Sequence, residues 1–247
     1  IFNFIGPAAV RRGDKFFTFD YPGHRGAVHT YPECVRRPDF EVPFKAAFDW
    51  LEKQPGVDAR IALTGYSGGG AAVVRVGCFE RRIAALIPNS PLVDQMDIGK
   101  KFWSWILKMP GSVTDMLFEK KMKKNPVSKA FFEYSRWIMP YNDLPLKEYT
   151  AKILKETEYN NRPYLHQIKC PTLALVGDGE GQALREQAEE YYNKVSSKKK
   201  DIYVFTLEKD GTYDHCQLDN RTRGNQITFD WLDDLFDYRY EDMDRRL

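Results

Sequence analysis

The sequence predicts an α/β fold, a mainly parallel sheet flanked by helices and interrupted by an inserted helical cap. Three observations predict it. Short apolar or β-branched runs alternate with longer amphipathic segments, which favours parallel strands joined by right-handed crossovers. The stretch 91–170 breaks that rhythm with no convincing strand. A Gly-x-Ser-x-Gly pentapeptide, Gly65 to Gly69, stands where a strand gives way to a helix.

Taken in order, residues 8–12 read as the end of a helix, and KFFTFD over 15–20 as a strand closed by the turn Tyr21-Pro22-Gly23-His24. A helix is predicted over 40–54, where Val42, Phe44, Ala47, Phe48 and Leu51 recur at helical spacing and Pro55-Gly56 stops it. Strands follow at 60–64, 83–87, 172–176 and 202–206. Helices are predicted at 71–79, 182–195 and 226–238. The intervening 91–170 segment is helix-like and rich in Trp103, Trp105, Phe118, Phe131, Phe132, Tyr134 and Trp137. Inserted between two strands, it leaves the sheet continuous and falls over the strands' C-terminal ends, where open α/β sheets bind ligands. The expected organisation is therefore 1–90 as the first part of the core, 91–170 as the cap and 171–247 as the second part.

Composition narrows the function. Hydrophobic residues make up 43% of the 247, enough for a packed interior and too much for a disordered chain. Thirty-seven basic and 35 acidic side chains nearly cancel. The clusters at 120–124 and 198–200 read as solvated faces, which gives no case for a nucleic-acid partner. No run of about 18 apolar residues appears, so no membrane span is expected. Cys34, Cys78, Cys170 and Cys216 show neither a C-x-x-C pair nor metal-like spacing, so free thiols and a reducing, cytoplasmic setting are the expectation, with no metal and no cofactor. The opening IFNFIGPAAVRRG lacks a signal-peptide layout and reads as the interior of a longer chain.

The chemistry rests on Ser67. A sharp strand-to-helix turn holds a nucleophile in strained backbone geometry and needs small neighbours, which Gly65, Gly69 and Gly70 supply. The helix start directs N–H groups at developing negative charge, and the amide of Gly68 is the expected oxyanion donor. A serine hydroxyl needs a base. Of the four histidines, His215 lies between the last strand and the last helix, where the order serine, acid, histidine requires it. His24 reads as a loop-shaping residue, and His29 and His166 as surface or cap residues. The acid must follow the strand at 172–176, whose end reads Gly177-Asp178-Gly179-Glu180. Glu180 has the usual spacing after a glycine; Asp178 is the commoner residue type and nearer the strand. The balance favours Glu180, with Asp94 held in reserve.

From FTFDYPGHRG through RPDFEVPFKAAFDWL, GYSGGG and DHCQLDNRT to ITFDWLDDLF, the chain resembles α/β-hydrolases of the dihydroxypseudooxynicotine hydrolase group and the fungal polyketide-shortening hydrolases of pigment pathways. The resemblance implies an α/β-hydrolase fold, a Ser-His-acid triad and attack on an activated carbonyl of a small-molecule substrate. It also implies further N-terminal strands and an oxyanion-forming loop upstream of Ile1, leaving the second oxyanion donor unassigned. Members of the group cleave carbon–carbon bonds beside carbonyls and relatives are esterases. The expectation is therefore C–C hydrolysis of a β-dicarbonyl or acyl-aromatic, polyketide-like substrate, with a carboxylesterase or lactonase, and a non-catalytic binding homologue, as alternatives. Trp103, Trp105, Phe131, Phe132 and Trp137 are the candidate substrate contacts, and a homodimer is compatible with the reading.

Overall fold

The computed structural model describes residues 2–98, 100–123, 125–155 and 159–237, without the side chains of 2, 100–103, 121–123, 128 and 131. The chain divides into two compact units. One comprises the residues up to 19, 40–95 and those from 161 onward; the other comprises 20–39 and 96–160.

The first unit is built on four parallel strands in sequential order: β1 (Ala62–Tyr66), β2 (Ala85–Asn89), β3 (Thr172–Gly177) and β4 (Lys200–Phe205). β2 and β3 are buried along their whole length, which is why ALIPN and TLALVG carry no polar–apolar alternation. Registers pair Tyr66 with Asn89, Asn89 with Leu175 and Gly177 with Phe205, so the four C-terminal ends finish along one edge. The helices of this unit are α1 (Phe2–Arg11), α3 (Glu41–Leu51), α4 (Gly68–Phe79), α9 (Gln182–Lys194), the single turn α10 (Leu207–Asp210) and α11 (Arg221–Leu235). Ile5 and Ala9 of α1 and Phe229 and Leu232 of α11 close over Ile87, Leu173, Leu175 and Phe205 to form one core. Helix α4 is buried from Gly70 to Cys78. A Cβ at Gly77 would lie 2.5 Å from the Leu86 side chain, so glycine there lets the helix lie against the sheet. Buried Arg75 in the same helix makes a two-pronged pair with Glu41 of α3, both contacts 2.9 Å, and sits over the Phe79 and Tyr164 rings.

The predicted elements are present with boundaries shifted by a few residues, with one correction. Residues 15–20 run without strand assignment. Alternation specifies a strand only where a neighbour offers a ladder, and this segment spends its aromatics otherwise: Phe17 stacks on Trp50, Phe19 meets Phe44 edge-on, and Phe16 lies against Gly6.

The second unit is helical: α2 (Arg25–Thr30), α5 (Lys100–Lys108), α6 (Gly111–Lys123), α7 (Pro126–Trp137) and α8 (Leu146–Lys155). Ile106, Met139, Leu146, Tyr149, Ile153 and Tyr159 form its core. Residues 20–39 belong to it: Arg36 donates its N–H to Ile138 O at 2.6 Å and accepts from Tyr159 Oη at 3.4 Å. Among the described residues no helix is long and apolar enough to cross a membrane.

Candidate active site

Ser67, Glu180 and His215 follow the C-terminal ends of β1, β3 and β4. Ser67 directly follows β1 and precedes α4, with φ 55° and ψ −117°. Such a conformation costs a non-glycine residue about 1–3 kcal/mol and persists only where its surroundings enforce it. Here the Ser67 N–H donates to Asn89 O at the end of β2 at 3.0 Å. A Cβ at Gly65 would fall 2.2 Å from Gly69 O, and one at Gly70 would fall 2.7 Å from Ser90 O. Glycine at 65 and 70 is therefore a steric requirement of the turn. At Gly69 an added Cβ meets nothing within 4 Å, so the room expected from that residue is not needed. Gly68 occupies the first position of α4.

The two candidate acids differ in burial and in hydrogen bonds. The Glu180 side chain is fully buried and its Oε2 accepts from His215 Nδ1 at 2.6 Å. Gly177 N–H donates to Oε1 at 2.7 Å, and Cys216 N–H approaches the same oxygen at 3.4 Å. Asp178 points outward, half exposed, and pairs with Arg185. Asp94 is engaged by Arg162 at 3.1 Å, so the reserve acid belongs to a different ion pair.

Two glycines bring the acid loop onto the histidine loop. A Cβ at Gly177 would lie 2.3 Å from Tyr213 O and one at Gly179 would enter the Tyr213 ring, while Gly179 N–H donates to Tyr213 O at 2.9 Å. The histidine loop is braced internally. Asp219 accepts from the Thr212 hydroxyl and, at 3.1 Å, from Tyr213 N–H; Asp214 accepts from His215 N–H at 2.7 Å. Burial works to raise the Asp219 carboxyl, but these hydrogen bonds outweigh it and hold the group below its ordinary value.

His215 joins Glu180 directly, whereas Ser67 reaches the cluster through its backbone. Among the described residues the Ser67 hydroxyl makes no hydrogen bond to His215; the ring's Nε2 lies 3.7 Å from Cys216 Sγ. The Cys216 sulfur, then Glu180, raise the imidazole from its ordinary 6.5 to about 10 against the opposing effect of burial. The ring's Nε2 side is therefore turned towards Cys216.

No family model and no curated protein matches the sequence. Solved structures do. The 2,6-dihydroxy-pseudo-oxynicotine hydrolase superimposes with a TM-score of 0.66 at 20% identity, covering 94% of this chain and 55% of that one. An esterase, EaEST from Exiguobacterium antarcticum, superimposes at 0.57 with 15% identity, covering 94% of this chain and 86% of that one. This chain has the α/β-hydrolase fold. It spans about half the length of the first of these structures. Within the α/β-hydrolase fold a nucleophilic serine precedes the acid, and the acid the histidine, in chain order; here Ser67, Glu180 and His215 follow β1, β3 and β4.

Sequence reasoning missed the residues between them. Ser90, fully buried with φ 57°, follows β2 and donates its hydroxyl to Glu180 Oε2 at 2.5 Å. Asn89 and Gln217 pair through their amides at 2.6 Å, and Cys216 and Gln217 also have positive φ, 53° and 52°. Four strained non-glycine residues thus cluster at one sheet edge. Asn89-Ser90 directly after a strand was the available signal, but only the fold gives it meaning.

Of the aromatic candidates, Trp105 is 43% exposed and Trp137 36%, the latter against His29 at 5.0 Å and Tyr134 at 5.9 Å. Phe132 packs on Phe118 at 4.3 Å against the helical unit's own core. The side chains of Trp103 and Phe131 lie outside the described residues. No three His, Cys, Asp or Glu side chains converge as metal ligands among the described residues.

Proposed function

We propose that the chain is the catalytic part of a serine hydrolase in which Ser67 is the nucleophile, His215 the general base and Glu180 the acid that orients it. The observation that carries the reading is the buried Glu180 carboxylate on His215 Nδ1 at 2.6 Å, one sheet edge shared with a serine held at φ 55°. A carboxylate on Nδ1 fixes the tautomer that leaves Nε2 free to take a hydroxyl proton, and it stabilises the imidazolium that results.

The reaction follows from that geometry. Ser67 Oγ attacks a carbonyl carbon as His215 accepts its proton, and the oxyanion forms beside the Gly68 amide at the start of α4. Collapse expels the leaving group and leaves an acyl-serine. For a β-dicarbonyl or acyl-aromatic substrate the C–C bond breaks, and the enolate takes the proton from His215. Water activated by the same histidine then releases the acid. C–C hydrolysis of a polyketide-like substrate is the preferred reading, supported by the structural likeness to the pseudo-oxynicotine hydrolase and by the exposed Trp105 and Trp137. The likeness to the EaEST esterase supports the second reading, an ester or lactone bond cleaved by the same groups.

A side-by-side assay of an acyl-aromatic β-diketone and a p-nitrophenyl ester, with products separated by mass, tests the choice. Release of both the acid and the ketone from the diketone is expected. Turnover of the ester alone would overturn C–C cleavage and leave the esterase reading.

A further inference from the structure

Glu180 has two oxygens and meets four donors, and one of those donors has no place in a three-residue account. Oε1 faces the Gly177 and Cys216 amides; Oε2 faces His215 Nδ1 at 2.6 Å and the Ser90 hydroxyl at 2.5 Å. We propose that Ser90 is a positioning residue of the site, whose hydroxyl fixes the Glu180 carboxylate and draws off part of the charge that Oε2 presents to His215. The inference rests on the serine-hydrolase reading for its catalytic meaning.

The placement of Ser90 supports a specific role. It has no exposed surface, and its φ of 57° is a conformation a serine adopts only under constraint. Its N–H donates to Leu175 O on β3 at 2.7 Å, and its carbonyl lies where a Cβ at Gly70 would come within 2.7 Å. Ser90 is therefore held between the turn that carries Ser67 and the strand that leads to Glu180. Its Oγ also lies 3.4 Å from His215 Nδ1 and 3.5 Å from Cys216 Sγ.

A buried carboxylate offers about four acceptor positions, and all four donors are needed to satisfy it. Deleting the Ser90 hydroxyl leaves one position on Oε2 unmet, and its charge then bears on the imidazole alone. The cationic ring becomes more favoured, and the pH at which His215 turns into a competent base rises. The other groups facing His215 remain in place: the Cys216 thiol on Nε2, the Asp214 carboxylate on its N–H, and Arg221 on the Cys216 carbonyl.

The test is an NMR titration of the His215 ring in ¹⁵N-histidine-labelled protein, with only four histidines to assign, in wild type, Ser90→Ala, Ser90→Gly and Ser90→Cys. Glycine suits the positive φ and guards against misfolding of the alanine variant; cysteine restores a weaker donor. The midpoint should rise by about half a unit or more in the alanine and glycine variants, with cysteine between them and wild type. The rate of inactivation by a fluorophosphonate should shift its pH midpoint in parallel. An unchanged or lowered His215 midpoint in folded variants would overturn the proposal, and so would loss of the fold in all three, which would make Ser90 a packing residue. Failure of the wild type to react with the probe would count against the hydrolase reading alone, because the ring titration does not depend on turnover.

Discussion

Around the sheet, the candidate catalytic residues are fixed by hydrogen bonds, and the Glu180 side chain is fully buried. Ser67 is held by Asn89 O, Glu180 by the Gly177 amide, and His215 by Asp214, each contact 3.0 Å or shorter. In the helical unit the candidate contacts are large apolar surfaces instead: Trp105, Tyr134 and Trp137 are partly exposed, and Met116 and Val127 more so at 60% and 79%. Hydrogen bonds define position to a fraction of an ångström, whereas apolar surface is non-directional. The first unit therefore fixes which side chains meet, and the second presents apolar surface that selects no single partner.

The sharpest way to break this contrast is to exchange carboxylates that differ only in placement. Glu180→Gln should lower the rate about a thousandfold or more, because the amide favours the wrong histidine tautomer. Asp178→Asn removes one exposed salt bridge to Arg185 and should stay within about twofold. Steady-state rates on any hydrolysed ester check both; losses of similar size would return the acid assignment to an open question.

A smaller effect is expected from the helical unit. Trp105→Ala and Trp137→Ala should raise KM for a bulky aromatic ketone about tenfold, more than for a short p-nitrophenyl ester, by removal of stacking worth about 0.5–1.5 kcal/mol per pair. Phe132→Ala should instead lower the melting temperature, since its ring is committed to Phe118. Equal changes in KM for both substrates would reduce the aromatic surface to a passive cover.

The smallest expected change concerns pH. Because the folded imidazole is raised above 6.5, reactivity that needs neutral His215 should climb as pH rises through the folded value near 10. The same shift stabilises the fold fully below about 6.5, and that contribution is lost as pH rises towards 10. Cys216→Ala removes the largest cause of the elevation and should move the pH midpoint of fluorophosphonate inactivation down, opposite in sign to the effect expected for Ser90→Ala. A midpoint unmoved by Cys216→Ala would show that Glu180 alone sets it.

Much of this was legible in the residues. The pentapeptide at 65–69 and the loop holding His215 were readable because their patterns are local, a serine between a strand and a helix and a histidine between the last strand and the last helix. Glu180 and Asp178 were separable only weakly, since the distinction is one of burial, and it is the packing of Gly177 and Gly179 under Tyr213 that creates it. Ser90 and Cys216 were not legible: each acts through a contact more than thirty residues distant or through the other face of the histidine ring. The segment 15–20 misled because alternation records a face, while a strand requires a partner. Residues 20–39 carried no sign that they pack with the helices of 96–160, an association made by backbone contacts such as Arg36 to Ile138.

The claim on which the account turns is that Ser67 is the nucleophile. Treating the protein with a fluorophosphonate above pH 8, digesting it and mapping the adduct by mass spectrometry tests this directly. The account predicts one phosphonylated peptide with the label on Ser67, absent in Ser67→Ala while circular dichroism shows the fold retained. A label on Ser90 or on any other residue, or undiminished labelling of Ser67→Ala, would contradict it.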